Sequence, residues 1–332
     1  MRLIENKAEI IQQEDGLNGL YKHIETCGRV PYKSYDKSDG TVEGAKAFVD
    51  RMIASKHFAV LEQGTVYLYL EINPDNCDSH FDYPLASFMD HYNWSDVISI
   101  IVAKYKSNKY SKVITKWLSP ERSSRGVYIT TNYRVIVEND WQDDLQFICN
   151  PTEFHFKRVT FKVNTSIGIT REINRSRSLS VLEQSTRYCN YTKDKFDNEI
   201  SFCKPSWINL NLGKYELNFD NGRTIVGDGY IRPADSLSED SIFLEDCLTS
   251  ELTYKQLVSE HNYSPQQARE ILPLCTATEA VYTAFLEDWT YFFNLRLLEV
   301  TGKVHPNMKD IAYKMHKAMV EVGLLDDLCK NY

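Results

Sequence analysis

Hydrophobic positions along this chain recur with two periods, and the places where the period changes mark the expected elements. The first forty residues predict a helix ending in His23-Ile24-Glu25-Thr26-Cys27-Gly28-Arg29-Val30, followed by a polar loop from Lys33 to Gly40. Ala45, Phe48, Val49, Met52 and Ile53 share one stripe at helical spacing, so a second helix is expected with most of that stripe in the core. Thr65-Val66-Tyr67-Leu68-Tyr69-Leu70-Glu71 alternates with period two and predicts a strand, as do residues 126–137 and 156–163. Residues 93–119 mix both periods. A polar turn at 193–199 leads to an irregular region over 204–233, with Asn-Gly and Asp-Gly turn signals at 221 and 228. A long helix is expected within 238–262, and Ser264-Pro265-Gln266-Gln267 carries an N-cap, a first-turn proline and a capping-box Gln for another that reaches Arg269 and breaks near Pro273. Val281, Phe285, Trp289, Phe292 and Arg296 follow at steps of four, four, three and four, which predicts a helix whose apolar stripe ends on a single arginine. A last helix is expected over 306–320.

Composition narrows the class. The chain has 332 residues, 42% hydrophobic and 25% charged, enough for one large or two ordinary domains with a real core. Its net charge of -8 argues against a general nucleic-acid or anionic-membrane binder, which needs a basic surface, so basic sites are expected as local pockets. The eight cysteines are scattered without a Cys-x-x-Cys pair or a His cluster at metal spacing, which makes structural zinc unexpected. With no apolar run of signal-peptide or membrane-span type, a cytoplasmic protein with reduced thiols is expected.

One stretch departs from the acidic background. Residues 170–191 hold Arg171, Arg175, Arg177 and Arg187, interleaved with Ser176, Ser178, Ser180, Ser185 and Thr186. On a helix Arg171 and Arg175 would lie four apart on one face, where like charges cost a few tenths of a kcal/mol, roughly, unless an anion sits between them. Guanidinium forks and hydroxyls suit phosphate or carboxylate; a solvated basic helix end explains the charge pattern equally well.

The spacing favours the anion. Arg175-Ser176-Arg177, seven residues, then Ser185 resembles the Arg-His-Arg, seven residues, Ser signature of the flavin-dependent thymidylate synthases. Arg171-Glu172 upstream and Glu183-Gln184-Ser185-Thr186-Arg187-Tyr188 downstream resemble the family's flanks. Further resemblances lie at His57 with Glu62, at Ala268-Arg269-Glu270-Ile271-Leu272-Pro273, and at Asp288 to Arg296, in the family's order. The resemblance implies an α+β fold, an antiparallel sheet flanked by helices, as a single domain over 1–332. An insertion at about 72–150 is expected to extend the sheet. It implies a homotetramer with active sites between subunits. It also implies transfer of the methylene group of methylenetetrahydrofolate to C5 of dUMP, with FAD reduced by NADPH.

Carried over by residue, Arg175, Ser185, Arg187 and Arg269 would hold dUMP, with Glu172 and Arg296 nearer the base. His57, Arg175, Ser176, Arg177 and Glu183 would meet FAD, with Glu183 between substrate and cofactor. Arg296, Ser185 and Glu183 are the candidate catalytic residues, Ser185 as a substrate ligand rather than a nucleophile. Without the resemblance, Arg296 reads as a helix C-terminal cation and His57 as a capping one. Cys189, the obvious thiol, reads as a bland buried cysteine. The departures cluster on the flavin side: Ser176 and Gln63 stand for histidines, and Phe285, Glu287 and Tyr291 stand where many relatives place Asn, Arg and Asn or His. Two alternatives therefore stay open: a uridine-nucleotide C5 methyl- or hydroxymethyltransferase with changed or lost flavin use, and a catalytically silent nucleotide-binding oligomer.

Overall fold

The computed structural model describes residues 1–72, 94–119, 124–220, 222–233, 236 and 238–328. Two short strands absent from the sequence expectations, β1 (Arg2–Ile4) and β2 (Lys7–Ile11), precede helices α1 (Gly16–Gly28) and α2 (Val42–Ala54), which pack together. Thr41 opens α2 by accepting from the Gly44 amide, and its stripe buries Ala45, Phe48 and Val49 while Met52 and Ile53 stay half-buried.

Strand β3 (Thr65–Ile72), helix α3 (Trp94–Ser107), β4 (Lys112–Ser119) and β5 (Ser124–Asn132) come next, and the strands pair antiparallel in the order β3-β5-β4. The region expected to be an insertion thus extends β3 into a three-stranded sheet of its own. The strand expected over 126–137 stops at Asn132, whose side chain accepts from the Val135 amide at 3.1 Å and turns the chain into α4 (Tyr133–Glu138). A local cap wins there over the β-favouring run Val135-Ile136-Val137.

The central sheet is built on β6 (Arg158–Ser166) and β12 (Ala277–Phe285), which pair antiparallel over nine residues, Ser166 with Ala277 to Arg158 with Phe285. With β2 and β7 (Ser180–Glu183) outside them the order is β2-β6-β12-β7. Here the periodicity misled: 277–285 is a strand, and helix α8 (Leu286–Arg296) begins only after it. Steps of four from Val281 to Phe285 to Trp289 are even, so they return to the same face of a strand as well as of a helix. The alternation Ala280, Tyr282, Ala284 against Val281, Thr283 is the better guide, and both sets are buried.

Helix α5 (Ile167–Ile173) starts as β6 ends, and the chain then passes β7, β8 (Ser201–Cys203) and the hairpins β9 (Gly213–Asn218), β10 (Thr224–Gly227) and β11 (Tyr230–Pro233). The region expected to be irregular is therefore largely a meander. Asp228-Gly229 forms the two-residue turn between β10 and β11, with Gly229 at φ 69°; part of the Asn-Gly signal at 221 lies outside the described residues. These strands form a sheet of order β11-β10-β9-β1-β8, antiparallel except for the β1–β8 pair, packed on α6 (Glu239–Ser259), which Ser238 caps. The capping box of Ser264 and Gln267 opens the short α7 (Pro265–Ala268), and α9 (Pro306–Glu321) closes the fold. Among the described residues the architecture is α+β with three sheets rather than one.

The β6–β12 sheet separates two cores. Val159, Phe161, Ala280 and Tyr282 face α5, α8 and α9 around Trp289, whose Nε1 donates to the Val159 carbonyl at 3.0 Å. Val281 and Leu182 face the core around α1 and α2. On that second face His23 lies buried, its Nε2 3.2 Å from the Thr160 hydroxyl, and Nδ1 has no partner among the described residues. Burial, helped by Arg158, pulls its pKa down to about 4 from 6.5. The unfolded chain protonates this histidine near 6.5 while the folded one resists, so stability should fall as pH drops from about 6.5 to about 4, by roughly 3 kcal/mol over the window. Denaturant midpoints across that range should slope less in His23→Gln; an unchanged slope would refute the assignment.

Candidate functional site

The arginine-rich stretch is positioned by the end of β6. Ser166 caps α5, the Ile167 amide donates to the Thr276 carbonyl at 2.9 Å and the Gly168 amide to the Leu274 carbonyl at 3.0 Å, so α5 is tied to the segment leading into β12. The helix ends at Ile173. Asn174 to Leu179 form turns, with the Arg175 amide donating to Glu172 and the Ser176 amide to Ile173. Arg175 therefore leaves from the turn after α5, and the helical register expected between Arg171 and Arg175 is broken between them. The chain then joins the sheet as β7, beside β12, with Glu183 opposite Ala280.

Glu183 is the centre of the buried part. Its Oε1 accepts from the Thr170 hydroxyl at 2.7 Å. Burial pushes its carboxyl above the ordinary range, against the pull of Thr170, Asn174 and Arg171 around it. Tyr282, next along this face of β12, is held neutral by burial and by the Glu183 charge. Arg296 arrives from the end of α8, and its Nη2 donates to the Glu172 carbonyl at 3.1 Å. Among the described residues four buried polar atoms here have no hydrogen-bond partner: Asn174 Oδ1, Thr278 Oγ1, Tyr282 Oη and Arg296 Nε. Each such atom costs about 1 to 3 kcal/mol unless water or a ligand meets it, and three of the four lie beside the Glu183 carboxyl, with Arg296 tied to the end of α5.

A charged rim is supplied by the same stretch of chain. Arg171, Arg175, Arg177 and Arg187 are exposed, and among the described residues none has a carboxylate partner, in a chain of net charge -8. The Ser185 hydroxyl accepts from the Arg187 amide at 3.3 Å, and Arg269 donates to the Thr186 hydroxyl at 3.0 Å, which brings α7's end to the same strand exit. Glu172 with Arg296, and Arg269 with Thr186 beside Ser185, are thus joined directly. Cys189 is buried, and burial pushes its thiol up, the opposite of activation.

On the other face of β7 opens a cleft of about 1180 Å3, lined by Tyr32, Phe48, Phe58, Leu182 and Tyr188 with Arg51, Lys37, Lys195 and His57. Tyr32 and Tyr188 stand 5.4 Å apart at its mouth. His57 belongs to this cleft, whereas Glu183 faces α5. Within one chain no hydrogen bond or ion pair joins His57 to Arg175, Ser176 or Arg177.

The profile of the thymidylate synthase complementing protein family matches residues 143–322, more than half of the chain. The chain belongs to this family, the flavin-dependent thymidylate synthases. No curated protein matches the sequence significantly. Among solved structures, the UMP/dUMP methylase PolB from Streptomyces cacaoi bound with 5-Br dUMP aligns at 14% identity over 97% of this chain and 93% of that one, with a TM-score of 0.38. Thymidylate synthase X (ThyX) from Helicobacter pylori with FAD and dUMP aligns at 19% identity over 48% of this chain and 66% of that one, with a TM-score of 0.32.

Several departures from the pattern of the flavin-dependent thymidylate synthases acquire a structural account. Gln63 is fully buried and accepts from the Thr283 hydroxyl at 2.6 Å, so it belongs to the fold's interior. Glu287 pairs with Lys112 at 3.0 Å, and Phe285 is covered by the Lys112 ammonium at 4.4 Å. Both contacts are made by β4, from outside the family match. Tyr291 is 64% exposed. Sequence reasoning missed Thr170, Asn174, Thr278 and Tyr282 around Glu183. Tyr282 was hidden by the helical reading of 281–296, and Thr278 lies just before it, although the run from Ala277 to Phe285 is rich in Thr, Val, Tyr and Phe. Replacing Tyr282 with Phe removes one orphaned hydroxyl and should stabilise the ligand-free protein by about 1 kcal/mol. Urea midpoints test this, and a lower midpoint would mean that water already satisfies the group.

Proposed function

We propose that this protein methylates dUMP to dTMP, with methylenetetrahydrofolate as carbon donor and NADPH-reduced FAD as reductant. The observation that carries the reading is the orphaned Arg296 Nε and the three orphaned atoms around Glu183, on a stretch whose guanidinium groups have no carboxylate partner among the described residues. A uracil ring offers carbonyl and N–H edges to such atoms, and a phosphate suits the rim. Arg175, Ser185, Arg187 and Arg269 would hold the phosphate, with Glu172 and Arg296 at the base. A fixed guanidinium donor at a uracil carbonyl would stabilise the negative charge that builds there when C5 acts as a nucleophile. Glu183, with its raised pKa, can hold a proton beside the ring.

The cleft on the other face of β7 suits a large planar ligand: it exceeds the usual pocket range of roughly 300–1,000 Å3, and combines aromatic rings with more cations than carboxylates. Of those carboxylates Glu25 is paired with Arg29, and Asp36 and Asp39 complete them. His57 would hold FAD there, with Arg175, Ser176, Arg177 and Glu183 completing the contacts. FAD when bound supplies the hydride chemistry that no side chain here provides. Because His57 and Arg175 lie apart within one chain, we take the site to be completed between copies, in a single-domain, cytoplasmic homotetramer. Among the described residues no helix is long and apolar enough to cross a membrane.

A second reading, a uridine-nucleotide C5 methyl- or hydroxymethyltransferase with altered flavin use, is favoured by the burial of Gln63 and the pairing of Glu287 with Lys112. Those positions are committed to the fold or carry a charge that repels pyrophosphate. Visible absorption with FAD and dUMP, then product mass, separates the two: shifted flavin peaks and dTMP support the first. For the substrate site, Arg187→Ala should weaken dUMP by about 10- to 100-fold in calorimetry. Unchanged affinity would overturn the phosphate assignment.

A further inference from the structure

One wall of the cleft is a single stretch of chain, residues 29–39, held within the cleft by Arg29, which donates to the Lys37 carbonyl, and by Glu25, which accepts from Ser38, and held from outside it by a second fastening. Pro31, Tyr32, Ser34, Asp36 and Lys37 face the opening. Two neighbours in the same stretch turn away from it, to one carboxylate on β12. Lys33 Nζ lies 2.9 Å from Glu279 Oε1, and the Tyr35 hydroxyl donates to Glu279 Oε2 at 2.5 Å. Lys33 occupies the left-handed region at φ 49°, which an unbranched non-glycine residue adopts at a cost, and its side chain is thereby delivered to Glu279. Burial would raise the Glu279 carboxyl, but Lys33, Tyr35 and Lys162 overcome it and hold the group below its ordinary range.

Glu279 is equally tied to the motif strand. The Gln184 amide donates to the Glu279 carbonyl at 2.7 Å, and the Glu279 amide donates to Gln184 Oε1 at 3.4 Å. One residue on, the Ser185 amide donates to the Pro31 carbonyl at 2.8 Å. Tyr32 then meets Tyr188, and Lys195 donates to the Tyr32 carbonyl at 3.2 Å. The same few residues thus join the cleft wall to the strand exit that presents Ser185, Thr186 and Arg187.

We propose that Glu279 is a positioning residue, whose carboxylate pins the 29–39 wall to the motif strand and so sets the cleft's shape for its large anionic ligand. It touches no reacting atom. Of the two halves of the site, the cleft depends on it and the Arg187 rim does so only through the backbone. This rests on the flavin reading above as far as the ligand is concerned, but the clamp itself can be measured without any ligand.

The test uses Glu279→Gln in the full chain, which keeps the shape and loses the charge that holds Lys33. In the ligand-free protein, amide hydrogen exchange of residues 32–38 should speed up by about tenfold or more, with residues 158–166 unchanged. FAD, titrated by its visible spectrum, should bind about tenfold or more weakly, while dUMP affinity by calorimetry changes little. Tyr35→Phe, at a partly exposed position that removes one contact only, should move both readouts the same way by less and serves if Glu279→Gln does not fold. Unchanged exchange of 32–38 overturns the clamp, and faster exchange with unchanged FAD affinity overturns its role in the cleft. If the wild-type protein binds no FAD, the flavin reading fails while the exchange result still decides the clamp.

Discussion

Nine consecutive antiparallel pairs between β6 and β12 are the constraint from which the rest of the structure follows. At one end of this ladder β6 turns into α5 under the Ser166 cap, and at the other β12 turns into α8. Because the two strands run in opposite directions, the helices start from opposite ends and run towards each other over one face. Arg296, the last residue of α8, thereby reaches the carbonyl of Glu172 near the end of α5. A register slip of one residue would send Tyr282 and Thr278 to the α1 side and dismantle the surroundings of Glu183.

The same ladder explains why the site has two halves. Short β7 adds to β12 and exposes alternate residues to opposite faces, Glu183 towards α5 and Leu182 towards the cleft. Desolvation dominates one half, where a carboxyl pushed up by burial sits among orphaned donors and acceptors. Charge and aromatic surface dominate the other. Several acidic groups near the site are engaged by other cations: Glu25 with Arg29 in the cleft wall, Glu279 with Lys33, Glu62 with Arg134. In a chain with more acids than bases, leaving Arg175, Arg177 and Arg187 without carboxylates requires that placement.

Much of this was legible along the chain. The α2 stripe, the alternation of β3, the Ser264 box and the final helix are local signals, set by side-chain period and capping chemistry within a turn or two, and they appear where expected. The misreadings share a cause. Residues 281–289 repeat at steps of four, which both periods accept, and 133–137 are β-favouring residues that a single Asn cap converts to helix. The short strands β1, β2, β7, β8 and β9 to β11 carry too few residues for a period to show, and they become strands because a partner elsewhere in the chain supplies their hydrogen bonds.

By itself the sequence determined the chemistry on offer: the arginines and hydroxyls of 170–191, their spacing, and the family that spacing belongs to. These are properties of residue order, and no fold is needed to read them. Tertiary structure decided how those groups are used. It put Glu183 out of water, left Arg296 Nε without a partner, buried Gln63, paired Glu287 with Lys112 from 175 positions away, and set His57 on the far side of β7. Burial and long-range pairing depend on which face of a sheet a residue occupies, and that is settled only when strands distant in sequence come into register.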